Sequence, residues 1–424
     1  MVFHEESVGD YCQEKSEGSK TCAASPSRQG KLLHLRLTHA KPCLQFKPFG
    51  GEEFNSSPRS FETKRKGPIV HKLLKVETNS NIFQIQFGQV QFEITGRCNL
   101  QCKHCRAAGD KFVDVSLDQI RKVMKFARMF SPPHAEVIAS GGEPLIHHKF
   151  PKVMEIIRSN GGDSVTLTTN GLLVNREVLA MLDNLGFERL MLSVSLDSLN
   201  AREHDDFRGR VGAFKRANEA IRLIVGSNMK NTVASVRMTL RPGQLSEMET
   251  MTRYVYDMGC QRVSFSSIHP SGRAIDHPEL WMNTAQLKQF VGTIYHLRTL
   301  FPRSFQIGTN DPLKCLFRTK HDVGTGNEVV FDGCAAGAVT FNVNASGVMT
   351  PCALLNIPIM QTNDLTVEEM VVAYQKSEVV KNLLEMNLKG KCGSCNLKYQ
   401  CGGCRARALT RNGDYLGEDP CCWK

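Results

Sequence analysis

Between residues 90 and 305 the sequence alternates short apolar stretches with longer amphipathic ones, and this rhythm constrains the fold more than any other feature. Each of six predicted strands is followed by a predicted helix, the strands being VQFEIT, AEVIAS, SVTLTTN, RLMLSVSLDS, TVASVRMTL and QRVSFSSI. Strands that alternate with helices at this spacing pair in parallel through right-handed crossovers. The segment therefore predicts an α/β fold, an open sheet or a partial (β/α)6 barrel, with binding sites at the C-terminal ends of the strands.

The segments on either side of this rhythm differ from it. Residues 1–87 are rich in Ser, Lys, Glu and Gly; the first thirty or so predict disorder, short strands follow, and Cys12, Cys22 and Cys43 are predicted to be free thiols. Residues 306–424 carry many cysteines and glycines with little apolar periodicity, so a bound metal is expected to stabilise them. We predict an N-terminal extension over 1–87, a core over 88–305 and a cysteine-rich domain over 306–424.

The composition is that of an ordinary soluble protein, with 41% hydrophobic and 22% charged residues. No stretch is apolar for long enough to span a membrane, and the first twenty residues lack the pattern of a secretory signal, which predicts a cytoplasmic protein. In that compartment the 16 cysteines favour metal or iron–sulfur ligation over disulfides. The formal net charge of +11 fits solvated lysines and arginines, and also an acidic partner.

The loop after the first strand contains CNLQCKHC, which includes Cys98, Cys102 and Cys105. These thiols could form three-quarters of a tetrahedral zinc site with His104 as the fourth ligand. They could also hold a four-iron cluster whose fourth iron binds another molecule. After the second strand, SGGEP supplies two glycines that let the backbone approach a ligand closely, and Glu143 supplies a carboxylate for an amine. One βα unit separates the two motifs, so we predict a shared site.

Together, four motifs resemble those of the radical S-adenosylmethionine (radical SAM) superfamily over about residues 88–300: CNLQCKHC, GGEP, TTNG and SVSLDS, each after one of the first four strands. The resemblance implies a TIM-like partial barrel. It also implies a [4Fe–4S] cluster on Cys98, Cys102 and Cys105, whose fourth iron chelates the amino and carboxylate groups of S-adenosylmethionine. By the resemblance, His104 would contact the adenine, and Ser195 and Asp197 would contact the ribose or the carboxylate of S-adenosylmethionine. The methionine amine would be contacted by Gly141, Gly142, Glu143 and Pro144.

The resemblance implies an enzyme of oxidoreductase or lyase type. S-adenosylmethionine would be cleaved reductively to a 5′-deoxyadenosyl radical, which takes a hydrogen atom from the substrate, and flavodoxin or ferredoxin would supply the electron. Arg208 is predicted to form a salt bridge within its loop, with a contact to the cofactor as the alternative. Cys260 is predicted to be a thiol of the core, with a role as a radical donor as the alternative.

The C-terminal stretches CAAGAVTFNVNASGVMTPC, CGSCNLKYQCGGC and CCWK resemble the SPASM extension of many radical SAM enzymes. The last spacing departs from the usual pattern, since CGGC has two residues between its cysteines where three are usual. Two auxiliary [4Fe–4S] clusters are implied, and a pair of zinc sites is the alternative. The nearer cluster would use Cys334, Cys352 and Cys404, with Cys315 or an open iron as the fourth site. The outer cluster would use Cys392, Cys395, Cys401 and one of Cys421 or Cys422.

Three functions compete. The first, and the one we favour from the sequence, is maturation of a ribosomally made peptide by a thioether, a carbon–carbon crosslink or an epimerised residue. The second is an enzyme of small molecules, because CGGCRARALTRNGDYLGEDPCC resembles haem-pathway radical enzymes that act on tetrapyrrole side chains. Sugar and nucleoside enzymes belong to this class. The third is an electron-transfer or scaffold protein without a catalytic cycle. We expect neither a membrane nor a nucleic acid as partner.

Overall fold

A computed structural model describes residues 2–5, 31–36, 72–107, 113–317 and 333–424, with the first two segments described by their backbone. The predictions for Cys12, Cys22 and Cys43 lie outside the described residues, as does most of the segment predicted to be disordered.

A four-stranded sheet of order β1-β2-β4-β3 comes first, formed by β1 (Val2–Glu5), β2 (Lys31–Arg36), β3 (Leu74–Glu77) and β4 (Asn81–Ile85).

The main sheet has ten strands. They are β5 (Gln89–Thr95), β6 (Glu136–Gly141), β7 (Ser164–Thr169), β8 (Arg189–Ser195), β9 (Thr232–Leu240), β10 (Arg262–Ser267), β11 (Gln306–Thr309), β12 (Thr340–Val343), β13 (Val348–Thr350) and β14 (Met360–Gln361). Their order is β11-β10-β9-β8-β7-β6-β5-β12-β13-β14. Every pair from β12 to β11 is parallel, which confirms the predicted α/β fold.

Six helices follow the six predicted strands as the sequence predicts, and one further helix covers most of the segment HDDFRG, which was expected to be a loop. In the barrel they are α1 (Leu117–Met129), α2 (Phe150–Ser159), α3 (Arg176–Asn184), α4 (Ala201–Arg208), α5 (Ala213–Val225), α6 (Met248–Asp257) and α7 (Thr284–Leu300). After residue 333 they are α8 (Val367–Lys376), α9 (Glu378–Glu385), α10 (Gly390–Ser394), α11 (Lys398–Cys401) and α12 (Arg405–Asn412). Among the described residues, no helix combines the length and apolarity needed to cross a membrane.

The first helix illustrates how the local sequence sets these elements. Ser116 caps α1 by accepting a hydrogen bond from the backbone N–H of Gln119, which satisfies a donor that has no partner within the helix. Ile120, Met124 and Ala127 recur at helical spacing and are buried. This apolar face packs the helix into the core shared with the sheet, and it leaves the strand ends free to carry polar loops.

The sheet extends past the predicted end of the core at residue 305. β11 pairs in parallel with β10, and β12 from the C-terminal region pairs in parallel with β5. The C-terminal cysteine region is therefore joined to the barrel by backbone hydrogen bonds. The division at residue 305 stays a prediction.

Candidate active site

A cavity of about 560 Å³ extends from the barrel interior to the loops at the C-terminal ends of the strands, a volume typical of small-molecule sites. It collects most of the predicted site residues. Those that line it are Cys98, Cys102, His104, Cys105, Gly141, Gly142, Glu143, Ser195, Cys334, Cys352 and Cys404. The wall of this cavity therefore contains both the three-cysteine loop of the barrel and three cysteines of the C-terminal region.

The GGEP segment is hydrogen-bonded along the start of the cysteine loop. Gly142 N–H donates to Thr95 O at 2.8 Å, and Glu143 N–H donates to Arg97 O at 2.8 Å. Gly141 has φ +134°, and a Cβ there would lie 2.2 Å from Thr95 O. A Cβ on Gly142 would lie 2.1 Å from Arg97 O. Only glycine lets these two backbone segments approach so closely, so the two glycines set the position of the cysteine loop.

Glu143 is buried, and its carboxylate is fixed by residues of the TTNG motif. It accepts hydrogen bonds from Thr169 Oγ1 at 2.7 Å and from Asn170 N–H at 2.8 Å. Burial nevertheless raises the pKa of Glu143 to about 7, because the charged form is removed from water. Asn170 in turn donates to Asn99 within the cysteine loop at 2.7 Å. Three of the four motifs are thus parts of one hydrogen-bonded unit.

The cysteine loop is also held from its other side. Lys103 N–H donates to Phe207 O at 3.0 Å, and Arg273 donates from its backbone to Cys105 O and from Nε to Cys102 O. Burial raises the pKa of Cys98 to about 11, so its thiol keeps its proton until a metal displaces it. The cysteines converge on a clamped loop beside a cavity, which fits a bound cluster.

Four predicted residues have more specific surroundings than the sequence indicated. Asp197 is buried in an ion pair of 2.6 Å with Arg208, and it does not line the cavity. The predicted salt bridge is therefore present, but Arg208 is the last residue of helix α4 and not part of a loop. Arg208 also approaches Cys102 Sγ at 3.8 Å, so it touches the site. His104 stacks on Phe207 with ring centroids 4.2 Å apart, and burial lowers the pKa of His104 to about 3. Pro144 is buried at the start of a short 3-10 helix, Pro144–Ile146.

The inner cysteine group consists of Cys334, Cys352 and Cys404. Burial raises the pKa of Cys352 to about 12, and the thiols of Cys334 and Cys404 add to this rise through their proximity. Backbone N–H groups point at the sulfur of Cys352, with Leu355 N–H at 3.2 Å. Enclosed thiols with convergent N–H groups are typical of iron–sulfur ligands.

The outer cysteine group consists of Cys392, Cys395, Cys401 and Cys422, which line a separate cavity of about 380 Å³. Cys421 is turned away from it: its thiol contacts Arg411 at 3.2 Å and faces Met282 O. Cys315, expected near the inner group, instead interacts with Cys401, and this contact raises the pKa of Cys401 together with burial. The structure thus brings Cys422 rather than Cys421 to the outer group, and it does not bring Cys315 to the inner one.

A buried charge network joins the cysteine groups to the barrel. Arg407 lies between Asp311 and Asp419, at 2.7 Å from each carboxylate. Asp419 also accepts hydrogen bonds from the backbone N–H groups of Cys404 and Cys421. Arg405 donates to Gly417 O at 2.6 Å and approaches Cys392 Sγ at 3.8 Å. Two arginines of α12 therefore organise both groups.

The comparisons with known proteins agree with this architecture. Residues 92–255 match the family described as the Radical SAM superfamily. The chain is 30% identical to the AdoMet-dependent heme synthase of Methanosarcina barkeri (strain Fusaro / DSM 804), over 78% of this chain and 95% of that protein. The chain belongs to the radical SAM superfamily. It is accordingly an enzyme that uses S-adenosylmethionine and a [4Fe–4S] cluster.

Other relatives of this radical SAM chain have a different description. It is 25% identical to the antilisterial bacteriocin subtilosin biosynthesis protein AlbA of Bacillus subtilis (strain 168), over 62% of this chain and 54% of that protein. Its fold is similar to that of Streptococcus suis SuiB bound to the precursor peptide SuiA, with a TM-score of 0.63 and 15% identity over 80% of this chain and 77% of that one. The comparisons thus include both a haem synthase and proteins associated with peptides.

Two cavity residues were missed by the sequence analysis. The side chain of Arg237 on β9 faces the cavity and forms no hydrogen bond or ion pair with a described residue, and burial lowers its pKa to about 10. His269 follows β10 and also lines the cavity. The alternation of Ser235, Arg237 and Thr239 along β9 was the available signal, because period-two polar positions share one face of a strand.

Proposed function

We propose that this radical SAM enzyme oxidatively decarboxylates carboxylate side chains of a tetrapyrrole-class substrate held between the barrel cysteines and the inner cysteine group. The observation that carries the proposal is that both groups line one cavity. A substrate in this cavity would be in reach of the radical chemistry on one side and of an auxiliary cluster on the other.

Cys98, Cys102 and Cys105 would hold the radical cluster, with the glycine segment and Glu143 against the methionine moiety and Ser195 near the ribose. Cys334, Cys352 and Cys404 would hold one auxiliary [4Fe–4S] cluster; Cys392, Cys395, Cys401 and Cys422 would hold another. When bound, S-adenosylmethionine and its cluster supply a 5′-deoxyadenosyl radical, and an auxiliary cluster supplies a one-electron acceptor.

The chemistry balances for a propionate side chain. The side chain –CH2–CH2–COO⁻ gives one hydrogen atom to the deoxyadenosyl group, which becomes 5′-deoxyadenosine. Loss of CO2 and one electron then leaves the vinyl group –CH=CH2. An auxiliary centre held by Cys334, Cys352 and Cys404 would accept that electron, and a flavodoxin or ferredoxin would supply the electron that starts each cycle.

Two observations support a carboxylate substrate. The guanidinium of Arg237 faces the cavity and forms no ion pair with a described residue: the nearby carboxylate of Asp197 is already paired with Arg208, and Glu93 is paired with Arg106. A buried cation without a counter-ion is costly, so an anionic group of the substrate is its natural partner. In addition, the heme synthase of M. barkeri aligns along 95% of its length.

Lysines near the outer group support an acidic electron donor. Lys391, Lys398 and Lys424 line the outer cavity together with its cysteines. Such a cluster of positive charge attracts an acidic partner and increases the rate of association. Flavodoxin and ferredoxin are acidic electron carriers, and their rate of association with this surface should fall as the salt concentration is raised.

Peptide maturation is the second candidate, and the relatives AlbA and SuiB favour it. A peptide crosslink or thioether would use the same hydrogen abstraction and the same one-electron acceptor. The two candidates differ in the product, since crosslinking removes hydrogen without releasing CO2.

The test uses the full chain, reconstituted anaerobically with iron and sulfide and reduced by dithionite in the presence of S-adenosylmethionine. Iron-loaded coproporphyrin III is expected to increase the formation of 5′-deoxyadenosine. By mass spectrometry each converted side chain should lose one CO2 and, counted from the neutral acid, two hydrogens: the abstracted hydrogen atom and the carboxyl proton. The tetramethyl ester is the control, because it has no free carboxylate. Deoxyadenosine without porphyrin conversion, together with hydrogen loss from a short peptide encoded beside the gene, would favour the second candidate.

A further inference from the structure

The inner cysteine group supplies three thiols where a four-iron cluster has four irons to ligate. Cys334, Cys352 and Cys404 lie together, and the expected fourth cysteine, Cys315, contacts Cys401 of the outer group instead. No other cysteine of the described residues lines the cavity beside this trio, apart from the barrel cysteines Cys98, Cys102 and Cys105. The fourth position must therefore be open or be filled by another type of residue.

His269 is placed to fill that position. It follows the C-terminal end of β10, lines the same cavity, and its side chain interacts with Cys404. Apart from this contact with the Cys404 thiol, the enclosed Nε2 has no hydrogen-bond partner among the described residues. Buried ring nitrogens are rarely left without a partner, and an orphan beside a group of thiols points to a ligand.

The other ring nitrogen of His269 is oriented as in metal-binding histidines. Nδ1 lies 3.3 Å from the carbonyl oxygen of Ser267. A carbonyl can only accept, so Nδ1 carries the proton in this contact and the neutral ring keeps its lone pair on Nε2. Histidines that bind metals usually donate their second N–H to a backbone carbonyl or a carboxylate in this way, which fixes the tautomer and the ring orientation.

We propose that His269 Nε2 is the fourth ligand of the inner cluster, which would be a [4Fe–4S] centre with three cysteines and one histidine. This inference rests on the proposed function, since it requires a cluster at the inner group. It has a chemical consequence: with all four irons ligated by the protein, the substrate does not bind to the cluster directly. Replacement of thiolate by imidazole also raises the reduction potential, as in Rieske centres, which suits an electron acceptor.

The test is spectroscopic and uses the full chain with the barrel site removed. The Cys98/Cys102/Cys105→Ala background, reconstituted without S-adenosylmethionine, leaves only the auxiliary clusters, and all histidines are labelled with 15N. Pulsed electron paramagnetic resonance of the reduced protein is expected to detect a strongly coupled histidine nitrogen. His269→Ala should abolish that coupling and convert part of the signal to that of a three-iron cluster, whereas the exposed His296→Ala should retain it.

A second variant keeps the result decisive if His269→Ala does not fold. His269→Cys should retain the full iron content and lose the nitrogen coupling, because a thiolate replaces the imidazole. A strong histidine coupling that survives in either variant would overturn the assignment. So would an inner cluster with normal iron content and no such coupling in the parent protein. Iron content unchanged by Cys352→Ala would instead mean that the inner group holds no cluster, and the proposed arrangement itself would fail.

Discussion

The barrel and the C-terminal region hold their cysteines by different means. In the barrel, backbone hydrogen bonds from four neighbouring elements fix a single loop, and Gly141 and Gly142 allow the close approach. In the C-terminal region the strands are short, and the buried side chains of Arg405, Arg407 and Asp419 tie the cysteine segments together. The comparison indicates that a site at the edge of a regular sheet depends on backbone geometry, whereas a site in an irregular region depends on a few buried charges.

The largest effect is expected at the barrel cysteines. Replacing Cys98, Cys102 and Cys105 by alanine should reduce the formation of 5′-deoxyadenosine to background, because the cluster that initiates the chemistry has no ligands left. Iron content should fall from about twelve to about eight per chain if each cluster holds four irons. Cys260→Ala is the control, since its buried thiol lies in the core away from the cavity, and it should keep its iron. Stoichiometric zinc in the wild-type chain would contradict the prediction.

The buried charges of the C-terminal region should dominate its stability. Arg407→Met leaves Asp311 and Asp419 without their cation, which is expected to cost about 3–5 kcal/mol in the free energy of unfolding. Iron loss should accompany it, because Asp419 also binds the backbone of Cys404. The matched control is Arg241→Met, whose ion pair with the exposed Glu203 should contribute at most about 1 kcal/mol. Equal costs in denaturant titrations would break the proposed contrast between the regions.

The barrel contains one buried group that should make stability depend on pH. The pKa of Glu143 is raised from 4.5 to about 7 by burial, so the folded chain binds more protons than the unfolded chain between these values. Its stability should therefore fall as pH rises through this window, by on the order of 3 kcal/mol. Glu143→Gln cannot ionise, so its unfolding free energy should lack this fall. The measurement compares the unfolding free energies of both proteins at about pH 4.5 and about pH 8, which span the whole window; an equal fall in both proteins would contradict the assignment.

Substrate binding should depend on Arg237. Arg237→Gln is expected to raise KM for the tetracarboxylate porphyrin about 10- to 100-fold, since a charge-assisted hydrogen bond contributes about 1.5–3 kcal/mol. Ser235→Ala, two residues earlier on the same face of β9, is the control and should change KM little. An increase in the dissociation constant of S-adenosylmethionine with an unchanged KM for porphyrin would assign Arg237 to the cofactor instead.

The smallest effects are expected at two matched helix caps, one in each region. Ser116 caps α1 in the barrel, and Thr366 caps α8 in the C-terminal region through a reciprocal capping box with Glu369. Each alanine replacement should cost about 1 kcal/mol in unfolding free energy. A much larger cost at Thr366 would mean that local helix structure, rather than the buried charges, limits the stability of the C-terminal region.

The regular part of the molecule was the part that the sequence could predict. Periodicity identified the strands β5–β10 and the helices that follow them, and the SAM motifs were correctly placed at the ends of strands. The strands, the helices and the motifs could all be predicted because each follows from a local pattern of residues. The group to which Cys315 or Cys421 belongs was harder to predict, because only the three-dimensional path of the chain decides which thiols lie together. The sequence-based preference for a peptide substrate stays a prediction, since the relatives include both substrate types.

The residues missed were those whose role depends on distant partners. Arg237 resembles any polar residue of a strand until the structure shows that its guanidinium forms no ion pair with a described residue. His269 follows an ordinary turn, and its orphan Nε2 depends on Cys404, which lies 135 residues later in the sequence. No local pattern records such a pairing.

The parallel pairing of β12 with β5 has a practical consequence for dividing this protein. A fragment ending near residue 305 would keep every SAM motif, but it would expose the unpaired backbone of β5 along the length that β12 normally covers. An uncovered edge strand recruits strands from other molecules. Such a fragment should therefore self-associate, and the C-terminal region acts as the edge protection of the barrel as well as the carrier of its additional cysteines.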